Sequence, residues 1–145
     1  MKNKFKRWIL LLCCLFFLSN ISKANEPFTF NVTEIEILQN GNKIYGYKGG
    51  TATSIDGSII TAENFFYNKL TNILETSGNV RYLDKIKNVI ITTDKAIYFK
   101  NEERIFTIGN SKVENDNNKI VSSNLEYDKN KNIFEAKKKC CSYRF

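Results

Sequence analysis

Apolar side chains fall on alternate residues along most of the chain beyond residue 25, and short polar runs interrupt the alternation. Phe28-Thr-Phe-Asn-Val32 and Thr33-Glu-Ile-Glu-Ile37 both alternate. Asn40-Gly41 marks a hairpin turn before Lys43-Ile-Tyr-Gly-Tyr47, and Asp56-Gly57 marks another before the stretch from Ile60. Strand side chains point to opposite faces in turn, so this pattern predicts strands with one buried face. No stretch carries the 3.6-residue stripe of an amphipathic helix. The expected fold class is all-β, with roughly eight to ten antiparallel strands and no substantial helix.

Three segments align without gaps: Ile60-Thr-Ala-Glu-Asn-Phe-Phe-Tyr67, Ile91-Thr-Thr-Asp-Lys-Ala-Ile-Tyr98 and Ile120-Val-Ser-Ser-Asn-Leu-Glu-Tyr127. Their tyrosines lie 31 and 29 residues apart. A repeat of this length is one supersecondary unit stacked on copies of itself. Five residues before each Tyr stands a small residue (Ala62, Thr93, Ser122), and two before stands Phe65, Ala96 or Leu125. Seven after stands Leu74, Ile105 or Phe134, and nine after stands Thr76, Thr107 or Ala136. Eleven after stand Gly78 and Gly109, then Lys138, where the pattern breaks. Ile60 and Ala62 share one strand face, whereas Phe65 and Tyr67 are one residue out of phase with them. A bulge between the two pairs would put all four on the same side. Val80 and Tyr82 continue the face of Leu74. Each unit therefore reads as two long strands, separated by polar turns at residues 68–72, 100–103 and 128–132.

Composition agrees with strands. The chain has 145 residues, 42% apolar, 26% charged and 13% aromatic, which excludes wholesale disorder. Histidine is absent, so Ser-His-Asp and Cys-His catalysis and His-ligated zinc are excluded. The net charge of +7 is unevenly placed. Residues 1–24 carry five basic and no acidic residues, and residues 137–145 carry four basic and none acidic. Residues 25–136 carry 13 basic against 15 acidic residues, net −2, so by charge this body binds no nucleic acid.

Residues 1–24 open with lysines, continue with an apolar run from Trp8 to Leu18, and end on Ser22-Lys23-Ala24. That is a secretory signal, with cleavage expected after Ala24. The apolar run is about 11 residues, short of the roughly 20 that a spanning helix needs. Residues 25–136 hold no cysteine, so the exported domain is not built on disulfides. Residues 137–145 form an anomalous tail, with Lys137 to Lys139 followed by Cys140 and Cys141.

The first repeat resembles the OstA-like repeat of the lipopolysaccharide-transport proteins. Ala62-Glu63, Phe65, Tyr67-Asn68, Thr76 and Gly78-Asn79-Val80 fill the places of that motif, and the second copy keeps Asp94, Tyr98 and Gly109-Asn110. The resemblance covers about residues 28–136. It implies an antiparallel β-jellyroll of OstA-like repeats, open at its ends, in the periplasm. It also implies an apolar groove that carries the lipid A acyl chains of lipopolysaccharide. The lining would then be Ile60, Ala62, Phe65, Tyr67, Leu74, Val80, Tyr82, Ile91, Tyr98, Ile105, Ile120, Leu125, Tyr127 and Phe134. Other OstA-like transport proteins would pair with an edge strand at Phe28, Thr29, Phe30, Asn31 and Val32. Within the family, the run from Phe28 to Ile37 resembles the N-terminal periplasmic domain of the outer-membrane member, which continues into a barrel. The third copy has Lys137 where Gly-Asn-Val would follow Ala136, so the tail is expected to be out of frame, on a truncated product.

The residues alone leave a second reading open: a structural β-repeat protein of the cell envelope, with a closed core and no lipid ligand. Glu63 and Asp94 occupy matching places and are expected on the surface, since the third copy has Ser123 there. No phosphate-binding loop, spaced metal-ligand set or catalytic constellation is visible, so no enzyme, cofactor, metal or small-molecule substrate is expected.

Overall fold

Eleven strands and no helix make up the described part of the computed structural model, residues 26–136 without 117. The expected signal peptide and tail lie outside those residues. The strands are β1 (Phe28–Leu38), β2 (Lys43–Ser54), β3 (Ile59–Ala62), β4 (Asn64–Asn68), β5 (Ile73–Asp84) and β6 (Val89–Phe99). They continue as β7 (Arg104–Ile108), β8 (Ser111–Asn115), β9 (Asn118–Ser122), β10 (Leu125–Asp128) and β11 (Ile133–Ala136). All pairs are antiparallel. The long strands run straight through, while their partners are split. The first part of β2 pairs with β4 and its second part with β3. Likewise β6 pairs with β8 through its first part and with β7 through its second.

The splits fall on one line. Glu63 separates β3 from β4, Gly109 and Asn110 separate β7 from β8, and residues 123–124 separate β9 from β10. The register of β1 on β2 slips between Val32 and Glu34, and that of β5 on β6 between Ser77 and Val80. Backbone bonds tie the line together: Gly49 N–H to the Glu63 carbonyl at 2.8 Å, Glu63 N–H to Gly78 at 3.0 Å, and Gly109 N–H to Ser123 at 2.8 Å. A bulge increases twist and bends its strand. Here the bends add, and one sheet folds into two facing halves. The expected bulge between Ala62 and Phe65 is this kink at Glu63. The kinks also explain why eleven strands are found where longer, fewer ones were expected.

Two apolar rows run across the halves, because directly opposed residues share a face. In one half, Ile44, Tyr67, Leu74, Tyr98, Ile105, Tyr127 and Phe134 are successive cross-strand partners. In the other, Phe30, Ala52, Ile60, Tyr82, Ile91, Val113 and Ile120 are. The two halves meet edge to face, Phe28 on Tyr67 at 5.2 Å and Tyr82 on Tyr98 at 6.4 Å between ring centroids. Burying each Ile, Leu or Val of these rows contributes roughly 1.5–3 kcal/mol. The period of 29–31 residues thus adds two strands, and two members, to each row per repeat.

Gly78 and Gly109 lie on the kink line in a left-handed conformation that favours glycine, with φ of +80° and +78°. A Cβ at Gly78 would run into the side chain of Glu63, which accepts a 2.6 Å hydrogen bond from Asn79 Nδ2. Asp94 and Asn110 repeat the arrangement at 2.9 Å beside Gly109. Gly78→Ala is therefore expected to cost about 1–2 kcal/mol, through the left-handed backbone and the displaced Glu63. Gly57→Ala, with φ +86° but nothing within 4 Å, keeps only the backbone part. Urea midpoints of the two variants should fall in that order.

Candidate functional site

The interior between the two halves is where the sequence-predicted lining lies. Ile60, Ala62, Phe65, Tyr67, Leu74, Val80, Tyr82, Ile91, Tyr98, Ile105, Leu125 and Tyr127 are all buried there, and Ile120 and Phe134 are partly buried against them. These side chains pack on one another, so the interior is a filled core and not an open groove. Apolar surface is open at the two ends. At the β1 end, Ile35 and Ile37 face the same way as buried Ile44, yet Ile37 is 57% exposed. At the other end, Val113, Asn118, Ile120, Asn132 and Phe134 line a cavity of about 330 Å³. A groove of about 430 Å³ lies on the outer face instead, among Tyr45, Tyr47, Phe66, Ile97 and Ile108. Its rings are cross-strand neighbours, Tyr45 and Phe66 at 4.8 Å.

The expected edge residues Phe28 to Val32 lie on β1, which among the described residues pairs only with β2 and leaves its outer edge free. Phe28 and Phe30 point inward, and Thr29 and Asn31 are exposed. At the other end of the sheet, among the described residues, β9 pairs only with β8 and β11 only with β10.

Polar groups gather along the margin opposite the kinks, where turns of the two halves come together. Four interior tyrosines send their hydroxyls there. Tyr67 donates to Asn72 Oδ1 at 2.8 Å and Tyr127 to Asn132 Oδ1 at 3.1 Å. The Tyr82 hydroxyl lies 3.1 Å from Ser58 Oγ, and that of Tyr98 donates to Glu103. Burial pushes all four phenols up, Tyr67 to about 12, so they are neutral donors at any physiological pH. Beside them, Lys129 Nζ sits 2.5 Å from Asp56, 3.6 Å from Asp84 and 3.8 Å from Glu103. Lys100 Nζ is 3.1 Å from Asp56 and also pairs with Glu103.

Burial alone would raise the Asp56 carboxyl. Hydrogen bonds from Lys129, the Ser58 amide and Lys100 outweigh it and hold Asp56 well below the ordinary carboxylate range. A depressed carboxyl contributes stability above its unfolded value, near 3.9, and that contribution is lost as pH falls towards the lowered folded value. Stability measured by urea between about pH 4 and pH 2 should therefore drop more steeply for the native chain than for Asp56→Asn.

Sequence reading missed this margin, since it took residues 100–103 and 128–132 only as polar turns between strands. The signal was a lysine in equivalent turns, Lys69, Lys100 and Lys129, 31 and 29 residues apart like the tyrosines. Glu63 and Asp94 are exposed as expected, and they brace the kinks. Among the described residues no three His, Cys, Asp or Glu side chains are grouped as a metal site.

No family model and no curated protein matches the sequence. Solved structures do match. One is LptH, the LptA-homologous periplasmic component of the conserved lipopolysaccharide transport device from Pseudomonas aeruginosa. Its TM-score is 0.71, with 16% identity, over 81% of this chain and 86% of that one. At that identity the likeness establishes the fold, an antiparallel β-jellyroll.

Proposed function

We propose that this chain is a periplasmic module of lipopolysaccharide transport, which shields lipid A acyl chains in its apolar interior and forms part of a bridge to the outer membrane. The observation that carries the reading is the jellyroll shared with LptH over most of both chains. Two features of this chain support it. The interior rows are apolar from end to end, and a shielded acyl chain gains roughly 0.8 kcal/mol per methylene. Among the described residues both sheet ends present free edges beside exposed apolar side chains, the setting in which a strand from another chain satisfies the unpaired backbone. The partners would be other OstA-like proteins, meeting this chain at Phe28 to Val32. Within the family we assign the chain to the N-terminal periplasmic domain of LptD, on the run from Phe28 to Ile37, which would place it at the outer membrane.

The filled interior favours a second reading, a structural β-repeat protein without a lipid ligand. Export of the chain in a Gram-negative host, gentle purification and mass spectrometry for lipid A separate the two. Co-purifying lipopolysaccharide is expected. A folded, lipid-free protein that also takes up none when it is added would leave the structural reading. A photo-crosslinker at Thr29 or Asn31 should capture an OstA-like chain. Capture at Ile133 alone would put the working edge at the other end.

A further inference from the structure

The two halves are joined in different ways on their two sides. On the kinked side the backbone of β2, β5 and β6 runs through, with left-handed residues at Lys48, Gly49, Gly78 and Asn79. On the opposite side, no described strand crosses. Among the described residues, every backbone bond outside the strand ladders stays within one half or lies on the kink line. What spans that seam is side chains. Lys129 reaches Asp56 at 2.5 Å and Ser58 Oγ at 2.8 Å, Lys100 reaches Asp56 at 3.1 Å, and Lys69 reaches Glu26 at 2.7 Å. Lys87 reaches the Lys129 carbonyl from the other half.

We propose that this seam is the opening of the molecule: Lys100 and Lys129 form a releasable clasp on Asp56, and the halves part there, hinged on the kinks, to admit an acyl chain from the side. The proposal rests on the lipid reading above. Three observations point the same way. The buried rows fill the interior between the halves, so a ligand needs a rearrangement. An ionic seam can exchange its partners for water, whereas an apolar one would be fused to the core. The tyrosines behind it turn apolar rings inward and hydroxyls outward, so a lip lined by Tyr82 and Tyr98 tolerates water when it opens.

Two measurements on the exported chain test this. The first uses Asp56→Asn, which keeps the side chain's shape and removes the charge. Its uptake of a fluorescent sixteen-carbon fatty acid in low salt should be at least threefold faster than that of the native chain. Acrylamide quenching of tyrosine fluorescence should rise with it; the only Trp, Trp8, precedes the expected cleavage site. The second needs no folded variant with a lost charge. A carbodiimide condenses a paired carboxylate and amine to an amide, its own product being the urea, and so makes the clasp covalent. With the Asp56–Lys129 amide verified by peptide mapping, uptake should fall at least tenfold. It should persist in the Lys100→Arg, Lys129→Arg chain, which keeps both charges and cannot couple. Unchanged uptake by the coupled native chain overturns the clasp and leaves the lipid interior standing. If no form of the chain takes up the probe, the lipid reading fails. The clasp as a device then fails too if tyrosine quenching is the same in Asp56→Asn and the native chain.

Discussion

Tyr98→Ala should lose about 3–5 kcal/mol of stability, enough to leave a domain of ordinary stability marginal. Tyr98 is 1% exposed and sits mid-row between Leu74 and Ile105. Its ring meets Phe28 at 5.6 Å and Tyr82 at 6.4 Å, both edge to face, so truncation leaves a hole bounded by both halves. The hydroxyl contributes separately, since it donates to Glu103, which Lys100 also holds. Tyr98→Phe should therefore cost only about 1–2 kcal/mol, the penalty for one buried acceptor losing a donor. Tyr45→Ala, on the outer face, should cost less than Tyr98→Ala. Urea unfolding followed by near-ultraviolet circular dichroism would rank the three. Equal losses for Tyr98 and Tyr45 would mean that the interior rows do not hold the halves together.

Lys129→Ala should be the most damaging change among the charged residues, at about 3 kcal/mol. The Lys129 side chain is 9% exposed and faces Asp56 and Asp84 at once, and Asp84 is itself 5% exposed. Removing the cation leaves Asp56 with Lys100 alone and takes from buried Asp84 the lysine 3.6 Å away, at a margin that water reaches only partly. The contrast is Lys48→Ala, whose pair with Glu34 is more than half exposed on both sides and is worth at most about 1 kcal/mol. The defect of Lys129→Ala should shrink when Asp56→Asn is added, because one of the two carboxylates that Lys129 faces is then neutral. If the double variant is simply the sum of the two, the seam is not the coupled network that its geometry describes.

The tyrosine register is legible in the sequence because each repeat carries its own row members at fixed offsets, and alternation reports which face they share. The bulge was legible too, since the phase of Phe65 and Tyr67 against Ile60 and Ala62 has no other resolution in a strand. Periodicity stops at the turns. Nothing in the order of residues tells that the turn of Asp56 and the turn of Lys129, 73 residues apart, face each other once the sheet has folded over. Local composition reads both only as turns between strands. The filled interior is of the same kind: Ile, Leu and Tyr on one face are compatible with a groove or a core, and only the distance between the halves decides.

The kink line also makes the domain a ruler. Each repeat brings its own bend, its own turn lysine and one pair of members for each interior row, and it depends on its neighbours only through strand pairing. Duplication of one unit of about 30 residues would thus lengthen the interior by two strand spacings, about 9.5 Å, without altering its cross-section. The length of the interior in such a protein changes by whole increments and by a single genetic event. Width is set by the side chains of the rows and can drift independently of it.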